Sequence, residues 1–313
     1  MKQSYHGLMS LGLVHPMAFP ETMQGKGPVV ETVARLVNDE FFGAIEITSI
    51  PNPEVRGQVA SLLQQSGMDV IFAAQPQLLM AKLDLNALEA GPREPAMARM
   101  KECVDEAYEV GARIMALMSG PDPGEAQREA AKEVLVAALK EICLYAQERA
   151  TDYVMSISLE NFDREVDKKS LIGPTAEAVE IAKQVREECQ NFGLLVDLSH
   201  LPLLQEDAAE TLSTAADYLI QIHVGNCVLR QPDHPAYGDQ HPRFGIPGGE
   251  NEVEELRYFL ETLIYTGYFQ QVLPTRMPVV SFEVKPLPGE SSEAVIANAK
   301  RTFLRAWAQI GEG

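Results

Sequence analysis

The sequence has no run of basic residues, no Cys-x-x-Cys pair and no apolar stretch near the 18 or so residues of a membrane helix. Each absence closes off a class. Lys and Arg total 26 against 45 Asp and Glu, a formal net charge of −19. Duplex-DNA binders carry a basic stripe that neutralises phosphates, so nucleic acid is not an expected partner. The cysteines, Cys103, Cys143, Cys189 and Cys227, are too dispersed for a disulfide framework. The opening residues MKQSYHGLMSLGLVHPMAFPE hold one Lys and a short apolar run, without the apolar region and cleavage site of a secretory leader. A strand is expected there, and a soluble, cytoplasmic protein with no membrane partner. GxGxxG after the first strand and GxxxxGKS/T anywhere are both missing, which removes the two common nucleotide-binding signatures. With no low-complexity segment or Pro/Gly/Ser-rich linker, the chain is expected to form one domain over 1–313.

What is present is a large apolar fraction, 46% of residues, arranged in a repeating order. Short β-branched runs fall at 6–14, 43–50, 69–74, 113–119, 153–161, 193–200, 218–226 and 278–286. Helical patterns lie between them, for example over 29–39, 53–67, 124–150, 175–193 and 252–267, with 292–311 after the eighth run. Nearly continuous apolar runs suit parallel strands covered on both faces. Eight of them alternating with helices predict an α/β fold, a (β/α)8 TIM barrel. One link, 226–251, is long and proline-rich. It follows the seventh strand, so in a barrel it sits on the catalytic face.

Four side chains close the late runs. Glu160 ends SISLE, Asp197 ends GLLVD, His223 ends LIQIH and Glu283 ends VVSFE. In a parallel barrel these ends converge on one mouth. Singly, each has an ordinary explanation. A carboxylate after a strand is often a loop residue, Asp197 suits the N-cap of a short helix over 199–206, and a lone His is more often buried and hydrogen-bonded than a ligand. Jointly, three carboxylates and an imidazole aimed at one point repel unless a cation sits among them. Such donors suit Mn, Mg, Co or Zn, with Mn the first expectation. Glu46, ending the second run, is expected either to pair with an arginine inside the barrel or, with His15, to line the opposite wall. His200, Asn226, Arg230, His241 and Arg243 are candidate partners for substrate hydroxyls. Lys285, two residues beyond Glu283, shares its side of the strand.

These residues resemble the xylose-isomerase-like TIM barrels, a superfamily of sugar isomerases, ketose 3-epimerases, inosose-processing enzymes and endonuclease IV. The resemblance covers nearly the whole chain and is carried by SLENF (158–162), LLVDLSH (194–200), QIHVGN (221–226) and SFEVKP (281–286). It implies that Glu160, Asp197, His223 and Glu283 bind one divalent metal, that Glu160 and Glu283 also form the acid/base pair, and that His200 contacts substrate. GDQHPRFGIPGG (238–249) resembles the Asp-x-His segment of endonuclease IV. That implies either a second metal at His200, Asp239 and His241 or direct substrate contacts by Asp239 and His241. AAQPQ (73–77) and LMSGPDP (117–123) lack the two histidines that complete the nuclease site, which with the acidic balance argues against a phosphodiesterase. The implied enzyme is a metal-dependent isomerase or epimerase of a keto-sugar or polyol-derived ketone, working by proton transfer through a metal-bound enediolate. A dehydratase or lyase on a keto-sugar or keto-glycoside would use the same site. The implied partners are a small sugar and further copies of the chain, as a homodimer or homotetramer.

Overall fold

The computed structural model describes residues 4–311, so the outermost residues of the expected 1–313 unit lie outside the described residues. Eight strands form one sheet: β1 (Ser10–Leu13), β2 (Ala44–Ile47), β3 (Asp69–Ala73), β4 (Ile114–Met118), β5 (Ser156–Glu160), β6 (Phe192–Asp197), β7 (Leu219–Gly225) and β8 (Val279–Glu283). Every neighbouring pair is parallel, in the order β1-β8-β7-β6-β5-β4-β3-β2. The sheet comes round to its own edge. Gly43 N donates to Leu11 O at 2.9 Å, and Val14 and Glu46 form a parallel bridge, so the first and second strands meet and the barrel is nearly closed. All eight expected runs hold a strand.

Among the described residues, eleven α-helices wrap the strands: α1 (His15–Ala18), α2 (Val29–Val37), α3 (Pro53–Ser66), α4 (Gln75–Ala81), α5 (Ala90–Glu109), α6 (Arg128–Arg149), α7 (Thr175–Arg186), α8 (His200–Leu204), α9 (Ala208–Ala215), α10 (Val253–Tyr265) and α11 (Ser292–Gln309). Their ends are written locally. Asn52 accepts from the backbone N–H of Glu54 at 2.9 Å, Pro53 opens the first turn of α3, and Gly67 ends the helix at φ +69°. Asp207 caps α9 in the same way, and Glu252 with Glu255 forms a reciprocal capping box on α10. The outward strand faces bury Leu11, Ile45, Phe72, Leu159, Val196 and Phe282 against helix residues such as Val33, Leu63, Leu139, Ile181 and Phe303. Each such side chain contributes about 1.5–3 kcal/mol on burial.

The inside of the barrel changes character along its axis. At the amino ends, Ala44, Ile71, Ile114, Ile220 and Val279, from five different strands, pack into one apolar plug. Two residues further along, Glu46 and Ser281 replace Ala44 and Val279, and Ser158 and Gln221 lie fully buried on β5 and β7. A register shift between β6 and β7 aims Gln221 and His223 inward. Gly193 makes the shift possible, because a Cβ there would stand 2.6 Å from the Ile220 side chain. The polar layer above the plug supports the site at the carboxyl ends.

Candidate metal centre

Glu160, Asp197, His223 and Glu283 meet at the barrel mouth. One donor atom from each lies within 4.8 Å of all the others. The strand register brings them there: Asp197 pairs laterally with His223, and Gly225 with Glu283. Each acid has one oxygen tied to protein or turned aside and another facing the cluster. Glu160 Oε2 accepts from Gln75 Nε2 at 2.8 Å, and Asp197 Oδ1 accepts from Ser199 N at 2.7 Å. Their remaining oxygens, Glu160 Oε1 and Asp197 Oδ2, are buried without a hydrogen-bond partner among the described residues. Both point toward His223 Nδ1, at 3.8 and 4.0 Å, while Glu283 Oε2 lies 2.6 Å from the same nitrogen. Buried orphaned carboxylate oxygens are costly unless something positive is meant to meet them. The set fits a divalent cation with oxygen and nitrogen donors.

His223 is oriented from below. Its Nε2 lies 3.0 Å from both oxygens of Glu46, and Gln221 Nε2 donates to Glu46 Oε2 at 2.9 Å. The Nε2–H is thereby directed to a carboxylate, leaving Nδ1 turned to the cluster. That is the arrangement that fixes a metal-binding imidazole. Glu46 thus neither meets an arginine nor lines the substrate wall. It stands one residue short of the end of β2, deep enough to reach under His223. Replacing Glu46 with Gln is expected to weaken divalent-metal binding by about 10–100-fold, the usual effect of losing such a partner. Metal titration calorimetry checks this; unchanged affinity would count against the orienting role.

Burial and charge set the protonation of the cluster. Burial pushes Glu160 up to about 8, and Asp197 is raised for the same reason. For Glu283, burial acts upward, but the charges of His241 and His223 and the His223 hydrogen bond outweigh it and bring the carboxyl down to about 2. Burial opposes charge on His223, yet Glu46 and Glu283 hold it well above the ordinary imidazole range. Burial of Glu160 and the carboxylates around His223 thus favour a proton on each of these two side chains. A metal must displace these protons, so affinity is expected to rise from pH 6 to pH 8. An affinity constant that stays flat across that range would contradict this arrangement.

A second cluster adjoins the first. His200 Nδ1 lies 2.9 Å from Asn161 O, turning Nε2 toward Asp239 Oδ1 at 3.2 Å and Asp197 Oδ2 at 3.9 Å. His241 Nε2 reaches Asp239 Oδ1 at 2.8 Å. The group whose donor atoms come close enough for an ion is Asp197, His200 and His241, rather than the expected set with Asp239. Gly225 allows the 238–241 segment to close over β7, since a Cβ there would stand 2.6 Å from Glu283 O and 3.2 Å from His241 Nδ1. Asp239 is instead tied to Lys168, whose Nζ lies 2.9 Å from Oδ2.

Above the cluster lies a cavity of about 240 Å³. Its polar lining includes Glu160, Lys168, His223, Asp239, His241 and Glu283, with Gln75, Gln240 and Lys285 beside them. Val14, Met17, Met23, Leu79, Met80 and Phe162 form its apolar part, mainly from the segments after β1 and β3. Gln75, Lys168 and this apolar wall escape sequence reasoning because they sit on βα links or on the short helices α1 and α4, where too few residues follow one another for periodicity to mark direction.

Other expected contacts lie elsewhere. His15 opens α1 instead of ending β1, and its Nε2 meets Thr32 Oγ1 at 2.8 Å. Burial pushes its pKa down to about 3, so it is a neutral core histidine. Asn226 is fully buried and braces the long link, accepting from Cys227 N and Asn251 N and donating to Arg243 O. The Arg230 side chain is 83% exposed and pairs with Glu250. Arg243 pairs with Glu290. Lys285 does line the cavity, and its backbone N–H donates to His241 O at 2.7 Å.

Comparison with known proteins agrees with this architecture. A crystal structure of the IOLI protein with a bound zinc atom superposes at a TM-score of 0.71, with 17% identity over 96% of this chain and 99% of that one. The 3-keto-D-glucoside 4-epimerase of E. coli gives 0.65, with 15% identity over 94% and 98%. D-psicose 3-epimerase from Clostridium cellulolyticum H10 gives 0.64, with 16% identity over 96% of both chains. No curated protein sequence matches significantly. The sequence profile named xylose isomerase-like TIM barrel matches residues 40–274, well over half of the length, and on that match the chain belongs to the xylose isomerase-like TIM barrel family.

Proposed function

We propose that the protein is a divalent-metal-dependent isomerase or epimerase of a keto-sugar or polyol-derived ketone. The observation that carries this is the pair of orphaned, buried oxygens on Glu160 and Asp197, gathered with His223 and Glu283 into one cluster of donor atoms. Glu160, Asp197, His223 and Glu283 would hold the ion, with Mn the first candidate and Mg, Co or Zn also suited to the donors. When bound, the ion supplies positive charge that polarises a ketone and makes the neighbouring C–H more acidic. One glutamate of the Glu160/Glu283 pair takes that proton. Returning it to the other face of the same carbon gives an epimer, and returning it to the adjacent carbon gives an isomer. The names of the similar structures, two sugar epimerases among them, support the substrate class. The experiment is deuterium incorporation from solvent into a panel of ketoses and keto-polyols.

One observation favours a second reading. Val14, Met17, Met23, Leu79, Met80 and Phe162 offer no hydrogen bond to the hydroxyls that a free sugar carries on nearly every carbon. They suit a keto-sugar with an apolar substituent. Abstraction of the proton beside the ketone then pushes the electron pair toward the next carbon, and the substituent leaves from there with its bonding pair and takes up a proton. Release of nitrophenol from a nitrophenyl keto-glycoside, faster than exchange without elimination, would select this reading.

A further inference from the structure

Lys168 is built into the polar wall by its own loop. Asp163 folds that loop: its carboxylate accepts the N–H groups of Val166 at 2.6 Å, Asp167 at 2.7 Å and Lys168 at 2.9 Å. Lys169 then turns the chain at φ +52°. Asp167 Oδ2 accepts from Asp239 N at 2.9 Å, which locks the loop to the segment carrying Asp239 and His241. The Lys168 ammonium sits among three oxygens: Asp239 Oδ2 at 2.9 Å, Asp239 O at 3.1 Å and Asp167 Oδ2 at 3.2 Å. An ammonium has three N–H bonds, so these contacts occupy all of them and leave none for a substrate. The side chain is only 18% exposed.

The carboxylate it holds faces the other way with its second oxygen. Asp239 Oδ1 meets His200 Nε2 at 3.2 Å and His241 Nε2 at 2.8 Å, yet Oδ1 and His200 Nε2 both lack a well-formed hydrogen bond. Asp197, His200 and His241 form a second group of donors that could hold a cation, and Asp239 Oδ1 borders it. Asp197 also belongs to the first cluster. An ion in the second position would have to share Asp197 with the first metal and crowd the Asp239 carboxylate that an ammonium already holds, placing three cations around two carboxylates.

We infer that Lys168 takes the place of a second metal ion, so that the protein holds one divalent cation where the neighbouring residues could otherwise hold two. The inference rests on the metal centre proposed above. It assigns Lys168 as a positioning residue: its charge fixes Asp239, and Asp239 in turn fixes His200 and His241 beside the reacting centre.

The test is metal stoichiometry. Metal-stripped wild type, Lys168→Arg and Lys168→Met proteins are titrated with Mn, and bound metal is counted by elemental analysis after dialysis. Wild type and Lys168→Arg are expected to hold one equivalent. Lys168→Met is expected to hold two, the second lost again on adding His241→Ala. Two equivalents in the wild type, or one in a Lys168→Met protein whose circular dichroism is native, overturn the inference. Should Lys168→Met fail to fold, electron paramagnetic resonance of the wild type with excess Mn decides: an uncoupled Mn signal at the site is expected, and an exchange-coupled pair overturns it. No metal uptake by the wild type would instead bring down the proposed function, with this inference on it.

Discussion

Replacing Glu160 with Gln is expected to lower turnover by about 10²–10⁴-fold at saturating metal, the range for removing a positioned acid or base. Glutamine keeps the size of the side chain and fits the same buried space. It cannot take or give the proton. It also changes the local hydrogen bonding, because Gln75 Nε2 now donates to Glu160 Oε2 at 2.8 Å. The variant's amide would therefore have to present its oxygen to Gln75 and its NH2 group to the cluster, where His223 and Asp197 converge. Some metal affinity is lost in consequence, so the comparison belongs at metal concentrations well above saturation. The informative readout is solvent-deuterium exchange into substrate alongside kcat. Exchange and turnover should fall together. If turnover fell while exchange continued at the wild-type rate, Glu160 would not be moving the proton that matters.

Stripping the metal is expected to abolish activity, and Mn or Co should restore it. The same experiment should move stability. Ligand at 100 times its dissociation constant stabilises the native state by about 2.7 kcal/mol, so Tm should rise on adding Mn to stripped protein. Asp197→Asn should remove that rise. In the stripped protein the same substitution should raise Tm, because it takes one buried carboxylate out of a cluster that burial already makes unfavourable. These opposite signs separate a metal site from an ordinary buried hydrogen-bond network. A network without metal would lose stability with Asp197→Asn under both conditions.

The barrel was legible because apolar runs and helical patterns alternate eight times, and each expected run contains a strand. The four metal-site candidates were legible for a related reason. Glu160, Asp197 and Glu283 are the last residues of β5, β6 and β8, where a parallel barrel opens to its mouth. Glu46 looked equivalent but precedes Ile47 in β2, and that single step places it under His223. His15 lies two residues beyond β1, far enough for α1 to rotate it into the space beside Thr32. Asn226 and Arg230 were sought in the long link because the link faces the mouth. A loop's direction is not periodic, however, and one turned into the backbone scaffold while the other turned to solvent. Lys168 gave no signal because its placement depends on Asp163, Asp167 and a left-handed Lys169 acting together.

The most direct test of the proposed centre uses one protein preparation in two states. Metal-stripped and Mn-reconstituted protein are incubated in deuterated water with a panel of ketoses and keto-polyols, and label is located by NMR. Proton transfer at a metal-held ketone predicts deuterium on the carbon beside the carbonyl in the reconstituted sample and none in the stripped one. Equal incorporation with and without metal would contradict the account.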